Sequence, residues 1–161
     1  MTLLSLTDLT KSFGGLMAVN EVSFDVRDGS VVGLIGPNGA GKTTVFNLIT
    51  GNHRADRGAV VFEGRDITAW RTHRIVRLGI ARTFQTIRLF QNLSVLENVL
   101  AGCHCRMRSG PVAAMLRTPG ARREEKGALE RALAELAFVG LAGQEMQLAK
   151  NLSYGSQRLL E

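Results

Sequence analysis

The stretch GLIGPNGAGKTTVFNLI, from Gly33 to Ile49, constrains this chain more than any other. It is entered by SVVGLI, a continuous β-branched and apolar run after an Asp28-Gly29 turn, which reads as a strand buried on both faces of a parallel sheet. It is left by Val45, Phe46, Leu48 and Ile49, an apolar set of helical character, with Gly51 suited to the left-handed position that ends a helix. Strand, glycine-rich turn and helix in immediate succession make an α/β fold the expectation.

Within the turn, Gly36 is followed by four residues, then Gly41, Lys42 and Thr43, which is the spacing of a phosphate-binding loop. Triphosphate oxygens need several donors converging on them with no side chains in the way. In the loop Gly36, Pro37, Asn38, Gly39, Ala40 and Gly41 the glycines let the backbone wrap inward, and the following helix offers its positive end. Lys42 is placed to neutralise the outer phosphates, the Thr43 hydroxyl to ligate a bridging Mg²⁺, and Thr44 to add a phosphate contact.

The rest of the chain divides by pattern. LLSLTDLTKSF and MAVNEVSFDV alternate as half-buried strands do, with Val22, Phe24 and Val26 on one face, and read as a small antiparallel region. GAVVFEG is a short strand between glycines, Arg71 to Leu78 a helix, and GIARTF a strand ending near Gln85. Beyond Gln91 the pattern is helical: Ser94 and Glu97 have capping-box spacing ahead of Val95, Leu96, Val99, Leu100 and Cys103. Residues 109–120, with two prolines and two glycines, read as a loop. After them Leu129, Leu133, Leu136 and Val139 or Gly140 mark the face of another helix. This places a nucleotide-binding core at 1–88 and a helical subdomain at 89–161.

Composition narrows the functional classes. No apolar run approaches the ~20 residues of a membrane span, and Met1 to Thr10 has no secretory pattern, so the chain reads as cytoplasmic. Cys103 and Cys105 flank His104, a spacing better suited to ordinary helix residues than to metal ligands or a disulfide. The net charge is +6, and Arg65, Arg71, Arg74, Arg77, Arg82 and Arg88 are accompanied between them only by Asp66. Nucleic acid, an anionic membrane face and a merely solvated basic surface all fit that patch.

Three motifs in order, GPNGAGKTT, ARTFQ ending at Gln85, and NLSYGSQR from Asn151 to Arg158, resemble the ATP-binding subunits of ATP-binding cassette (ABC) transporters. They are similar to that family's Walker A loop, Q-loop and signature motif, the last at Leu152-Ser153-Tyr154-Gly155-Ser156-Gln157. The resemblance implies a P-loop NTPase of ABC type: a parallel core sheet, a small antiparallel β region and a helical subdomain, with ATP and Mg²⁺ as cofactors. It also implies that Phe13 stacks on adenine. Gln85 would ligate Mg²⁺ or orient the attacking water and couple the site to a transmembrane subunit. Ser153 and Gly155 would contact the triphosphate held by the other subunit of a head-to-tail dimer. Lys42 and Gln85 are thus the expected catalytic residues, and Thr43 and Gln85 the expected metal contacts.

FGGLMAVNEVSF, RTFQTIRLFQNLSVLENVLAG and the segment RMRSGPVAAMLRTPGARREEKGALERALAEL are similar to the branched-chain amino-acid uptake ATPases of LivG type. That implies two membrane permease subunits, a second ATPase subunit, an extracytoplasmic amino-acid-binding protein, and a peripheral place on the inner face of the plasma membrane. No nucleic acid is expected, although a non-transport ABC ATPase acting on nucleic acid is the alternative. Family members continue past the signature into an apolar strand ending in Asp-Glu, an aspartate loop and a switch histidine, none of which has a counterpart up to Glu161. The expectation is a truncated ATPase that grips Mg-ATP and by itself cuts it weakly or not at all. Its buried-type strand, short of partners, should make the isolated chain unstable or prone to associate.

Overall fold

The computed structural model of the chain describes residues 1–84, 86–103 and 118–161. These form two compact units, Met1–Arg82 and Thr83–Glu161.

The first unit is built on an antiparallel sheet of strand order β2-β1-β3-β4: β1 Thr2–Phe13, β2 Leu16–Arg27, β3 Arg57–Phe62 and β4 Arg65–Asp66. The alternation read in the sequence sets the register. Leu4 faces Val26, Leu6 faces Phe24 and Phe13 faces Leu16 across the first hairpin, while Leu6 faces Val60 on the other side of β1. Leu6, Leu9, Val19, Val60 and Phe62 point into the core, where they meet Val45, Leu48 and Ile49 of helix α1 (Lys42–Ile49). Ile67 and Ile75, the latter from helix α2 (Thr72–Arg77), complete the cluster. Gly51, at φ 71°, follows Thr50, the C-cap of α1, as expected, and its amide donates to Leu48 O at 3.2 Å.

Two strands expected from the sequence do not form. Residues 31–37 and 80–84 carry no strand pairing, and every ladder among the described residues is antiparallel. The apolar run does keep a strand's alternation. Val32 and Leu34 line an apolar cleft with Leu4, Phe24, Val26, Val45 and Phe46, whereas Val31 and Ile35 are 101% and 94% exposed. The segment thus turns one face toward the cleft, with Val32 and Leu34 still 52% and 36% exposed, where the sequence predicts a strand buried on both faces. A strand exists only where a neighbour accepts its hydrogen bonds, and the described residues offer 31–35 none.

The second unit is helical: α3 Val95–Cys103, α4 Pro119–Phe138, a 3₁₀ turn Ala149–Asn151 and α5 Tyr154–Leu160. The capping box is complete. Glu97 accepts from the Ser94 amide at 2.7 Å, and the Ser94 hydroxyl accepts from the Glu97 amide at 3.2 Å. Helix α4 starts at Pro119, so Pro119 and Gly120, read as loop, form its first turn, with the Thr118 hydroxyl accepting from the Ala121 amide at 3.3 Å. Residues 109–117 of that expected loop lie outside the described residues. Of the expected leucine stripe, Leu136 alone is buried on α4, with Val139 packed beside it. Ala121, Ala128, Ala132 and Leu136 are buried, while Leu129 and Leu133 are 38% and 40% exposed. Ala128, Ala132 and Leu136, four residues apart, form the buried ridge, and Leu129 and Leu133 lie at its margin. Its end is closed by Leu141 N donating to Leu136 O at 2.8 Å and Gly140 N to Ala137 O at 3.2 Å. Val95, Leu136, Leu141 and Leu152 form this unit's core.

Candidate functional site: a glycine loop at the start of α1

The loop from Gly36 to Gly41 lies between the apolar segment and α1. A turn closed by Ala40 N donating to Pro37 O at 3.2 Å folds it back on itself, and Val45 N donating to Gly41 O at 2.9 Å is the bond that opens the helix. By helix geometry the amides of Lys42, Thr43 and Thr44 have no acceptor within α1 and present partial positive charge at its start. Gly41 has to be glycine on two counts. Its φ is 83°, and a β-carbon there would come within 2.1 Å of the Ala18 carbonyl oxygen of β2. The loop is thereby seated directly on the sheet.

Lys42 folds back over this loop, and its Nζ donates to Gly36 O at 2.7 Å and Pro37 O at 2.6 Å. The ammonium and the first helical amides thus converge around residues 36–44. Thr43 is exposed beside Lys42, and Thr44 is half-buried. A cation, three free-ended amides and an exposed hydroxyl on a backbone without intruding side chains suit a polyphosphate with its divalent cation. Thr43 is the residue that would hold Mg²⁺. Among the described residues no cluster of three His, Cys, Asp or Glu side chains could hold a metal by itself. Cys103 ends α3, half-buried; His104 and Cys105 lie outside the described residues.

The other expected site residues fall in different places. Phe13 ends β1 in the first unit with 41% of its surface exposed. Ser153 and Gly155 are in the second unit. Ser153 is the N-cap of α5, its hydroxyl accepting from the Ser156 amide at 3.1 Å, and a β-carbon at Gly155 would lie 4.0 Å from the Ser153 Oγ. Tyr154 between them is 69% exposed, so this helix start is an open surface. Gln85 lies outside the described residues. Its neighbour Phe84 accepts from Arg158 Nη1 at 2.5 Å through its carbonyl and carries the Arg88 guanidinium 4.7 Å from its ring centre.

Sequence reasoning did not single out several residues that the fold gathers here. Asn47 of α1 accepts from Arg82 Nη1 at 2.6 Å through its side chain, and its carbonyl accepts from the amides of Asn52 and His53 at 2.9 and 3.1 Å. Lys11 pairs with Asp56 at 2.6 Å, and the Ser12 amide donates to the other carboxylate oxygen at 2.7 Å. The Lys11 hydrogen bond, then that of the Ser12 amide, holds the Asp56 carboxyl below its ordinary range. The Asn52 amide bond to Asn47 O belongs to the local helix end at Gly51, whereas Asn47–Arg82 and Lys11–Asp56 have no local spacing rule, so no motif announces them.

A family model described as ABC transporter matches residues 19–161. The chain belongs to the ABC transporter family. The matched region contains the glycine loop and Leu152–Gln157, while Phe13 precedes it. Two curated ABC relatives are the high-affinity branched-chain amino acid transport ATP-binding proteins LivG of Salmonella typhimurium and BraF of Pseudomonas aeruginosa. They are 43% and 42% identical over 159 residues, covering 99% of this chain and 62% of each relative. The chain thus spans about 62% of the length of these relatives. A crystal structure of the ADP conformation of an ABC transporter's ATP-binding cassette superposes with a TM-score of 0.80 at 37% identity, over 99% of this chain and 62% of that one. The fold is accordingly that of an ABC-type P-loop NTPase, of which the antiparallel β region and the helical unit are the parts most fully formed among the described residues.

Proposed function

We propose that this chain is the nucleotide-binding portion of an ATP-binding subunit of an ABC importer that takes up branched-chain amino acids. The observation that carries the reading is the loop itself: Gly41 packed on Ala18, Lys42 turned over residues 36–37, and the exposed loop leading straight into the start of α1. In this reading Gly36 to Thr44 cradle the phosphates of ATP, Lys42 neutralises charge as it builds on the outer phosphates, and Thr43 holds Mg²⁺. When bound, Mg²⁺ supplies electrostatic neutralisation of the phosphate oxygens. Gln85 joins that cation or the attacking water, and Phe13 takes the adenine. Ser153 and Gly155 reach the nucleotide of a second ATP-binding subunit in a head-to-tail pair, for which an exposed N-capped helix start is suited.

The same reading makes two membrane permease subunits the docking partners at the inner face of the plasma membrane, served by an extracytoplasmic amino-acid-binding protein. Similarity to LivG and BraF supports the cargo class. Residues 1–161 by themselves are proposed to bind Mg-ATP.

Calorimetric titration of residues 1–161 with Mg-ATP tests this. Binding should weaken by about tenfold or more in Lys42→Ala, since a charge-assisted contact to the outer phosphates is lost. ATP affinity indifferent to Lys42 contradicts the assignment, as does salt-sensitive capture of DNA without association with any permease.

A further inference from the structure

The glycine loop accounts for the phosphates, and Phe13 by itself is a poor receptor for the other end of a nucleotide. It stands at the last position of β1, beside the Gly14-Gly15 turn. A ring so exposed loses rotational freedom when a base stacks on it, which subtracts from affinity. In this fold the ring is already held. The His53 imidazole meets it edge-on, with centroids 5.1 Å apart and planes at 72°, and the Lys11 ammonium lies 5.4 Å from its centre. Lys11 is fixed in turn by Asp56 at 2.6 Å.

Asp56 grips the end of β1 at three successive residues. Its amide donates to Thr10 O at 2.9 Å, and its carboxylate accepts from Lys11 Nζ at 2.6 Å and from the Ser12 amide at 2.7 Å. His53 is tied to α1, because its amide donates to Asn47 O at 3.1 Å. The ring is also registered against the loop through β2. Phe13 pairs with Leu16, and Ala18, whose carbonyl seats Gly41, lies two residues further on, about 7 Å along the strand.

We propose that His53, Lys11 and Asp56 are positioning residues that brace Phe13 as a platform for a purine base; this rests on the reading of the loop as an ATP site. The cation draws π-density from a ring that belongs to a residue 41% exposed, which makes the ring a better stacking partner for an electron-rich purine. The T-shaped contact from His53 restricts the orientation of the Phe13 ring on which the base would stack. The brace thus acts on the base half of the nucleotide and leaves the phosphate half to Gly36–Thr44.

Titrating residues 1–161 with ATP and, separately, with inorganic tripolyphosphate, both with Mg²⁺, tests the division. His53→Ala should weaken ATP about 3- to 10-fold, the worth of an aromatic contact, while tripolyphosphate affinity stays within about twofold. His53→Phe, which keeps an aromatic edge, should restore most of the ATP affinity. The paired substitution Lys11→Met with Asp56→Asn, which leaves no lone charge behind, should reproduce the loss for ATP only. Unchanged ATP affinity in His53→Ala, or equal loss for both ligands, overturns the brace. Failure of the unsubstituted chain to bind either ligand overturns the ATP reading itself, and the brace with it.

Discussion

The two units of this molecule are specified in opposite ways. In the helical unit the signals are local: Ser94 and Glu97 cap each other three residues apart, Ser153 caps Ser156, and Leu141 closes onto Leu136. In the sheet unit they are distant: Leu6 is set by Phe24 and Val60, Lys11 by Asp56, and Gly41 by Ala18. A local signal forms its element wherever the chain carries it, whereas a strand depends on what comes to lie beside it. Residues 31–35 show the consequence, having strand composition and alternation but no ladder.

The largest effects that sharpen this contrast come from the cores. Leu9 is 0% exposed and Leu136 1%, so each truncation to alanine should cost about 2–5 kcal/mol. Hydrogen exchange distinguishes the two. In Leu9→Ala, protection should fall across β1, β2 and β3 together, because long-range pairing binds them into one cooperative set. In Leu136→Ala it should fall in α3 and α4, with the sheet unit unchanged. Loss of protection throughout the chain in both variants would show that the units do not behave separately.

A smaller effect isolates one local signal. Ser94→Ala removes the cap of α3 and should cost about 1 kcal/mol. The accompanying pH dependence has a definite sign. Hydrogen bonds from the Ser94 amide, then from its hydroxyl, hold the Glu97 carboxyl below the 4.5 of a free glutamate. Its contribution is therefore full above pH 4.5 and is lost as pH falls through the lowered value of the folded state. Acid unfolding followed by circular dichroism should lose this component in Ser94→Ala and in Glu97→Gln. An identical acid limb in Glu97→Gln would show that the cap adds nothing in solution.

What was legible in the sequence follows the same line. The capping box, the helix end at Gly51 and the loop from Gly36 to Thr43 are patterns whose parts sit within a few residues, and all three could be read directly. The face of α4 was legible only in part, because periodicity locates apolar residues without saying which of them are covered: Leu136 is buried with Ala128 and Ala132, and Leu129 and Leu133 lie at the margin. The run at 31–35 reads as a buried-type strand short of partners, and it forms no ladder because composition reports a capacity for pairing while the pairing itself depends on residues elsewhere. The brace around Phe13 was invisible because Lys11 and Asp56 stand 45 residues apart, and His53 reaches the ring only once α1 has packed on the sheet.

The smallest expected effect on stability bears most directly on the contrast. Val31 and Ile35 are 101% and 94% exposed on a segment whose other face lines the apolar cleft. Substituting both by lysine should shift the free energy of unfolding by no more than about 0.5 kcal/mol, as for exposed positions generally. Association is another matter, since a β-branched run with unpaired backbone is a template for a second strand, and charge on its outer face opposes that pairing. Sedimentation of the double variant should therefore show less self-association than the parent at equal concentration, with urea midpoints nearly coincident. A destabilisation comparable to that of Leu9→Ala would mean that these side chains are buried in solution. The segment would then be paired, and the sheet unit would contain a strand of the kind its composition announces.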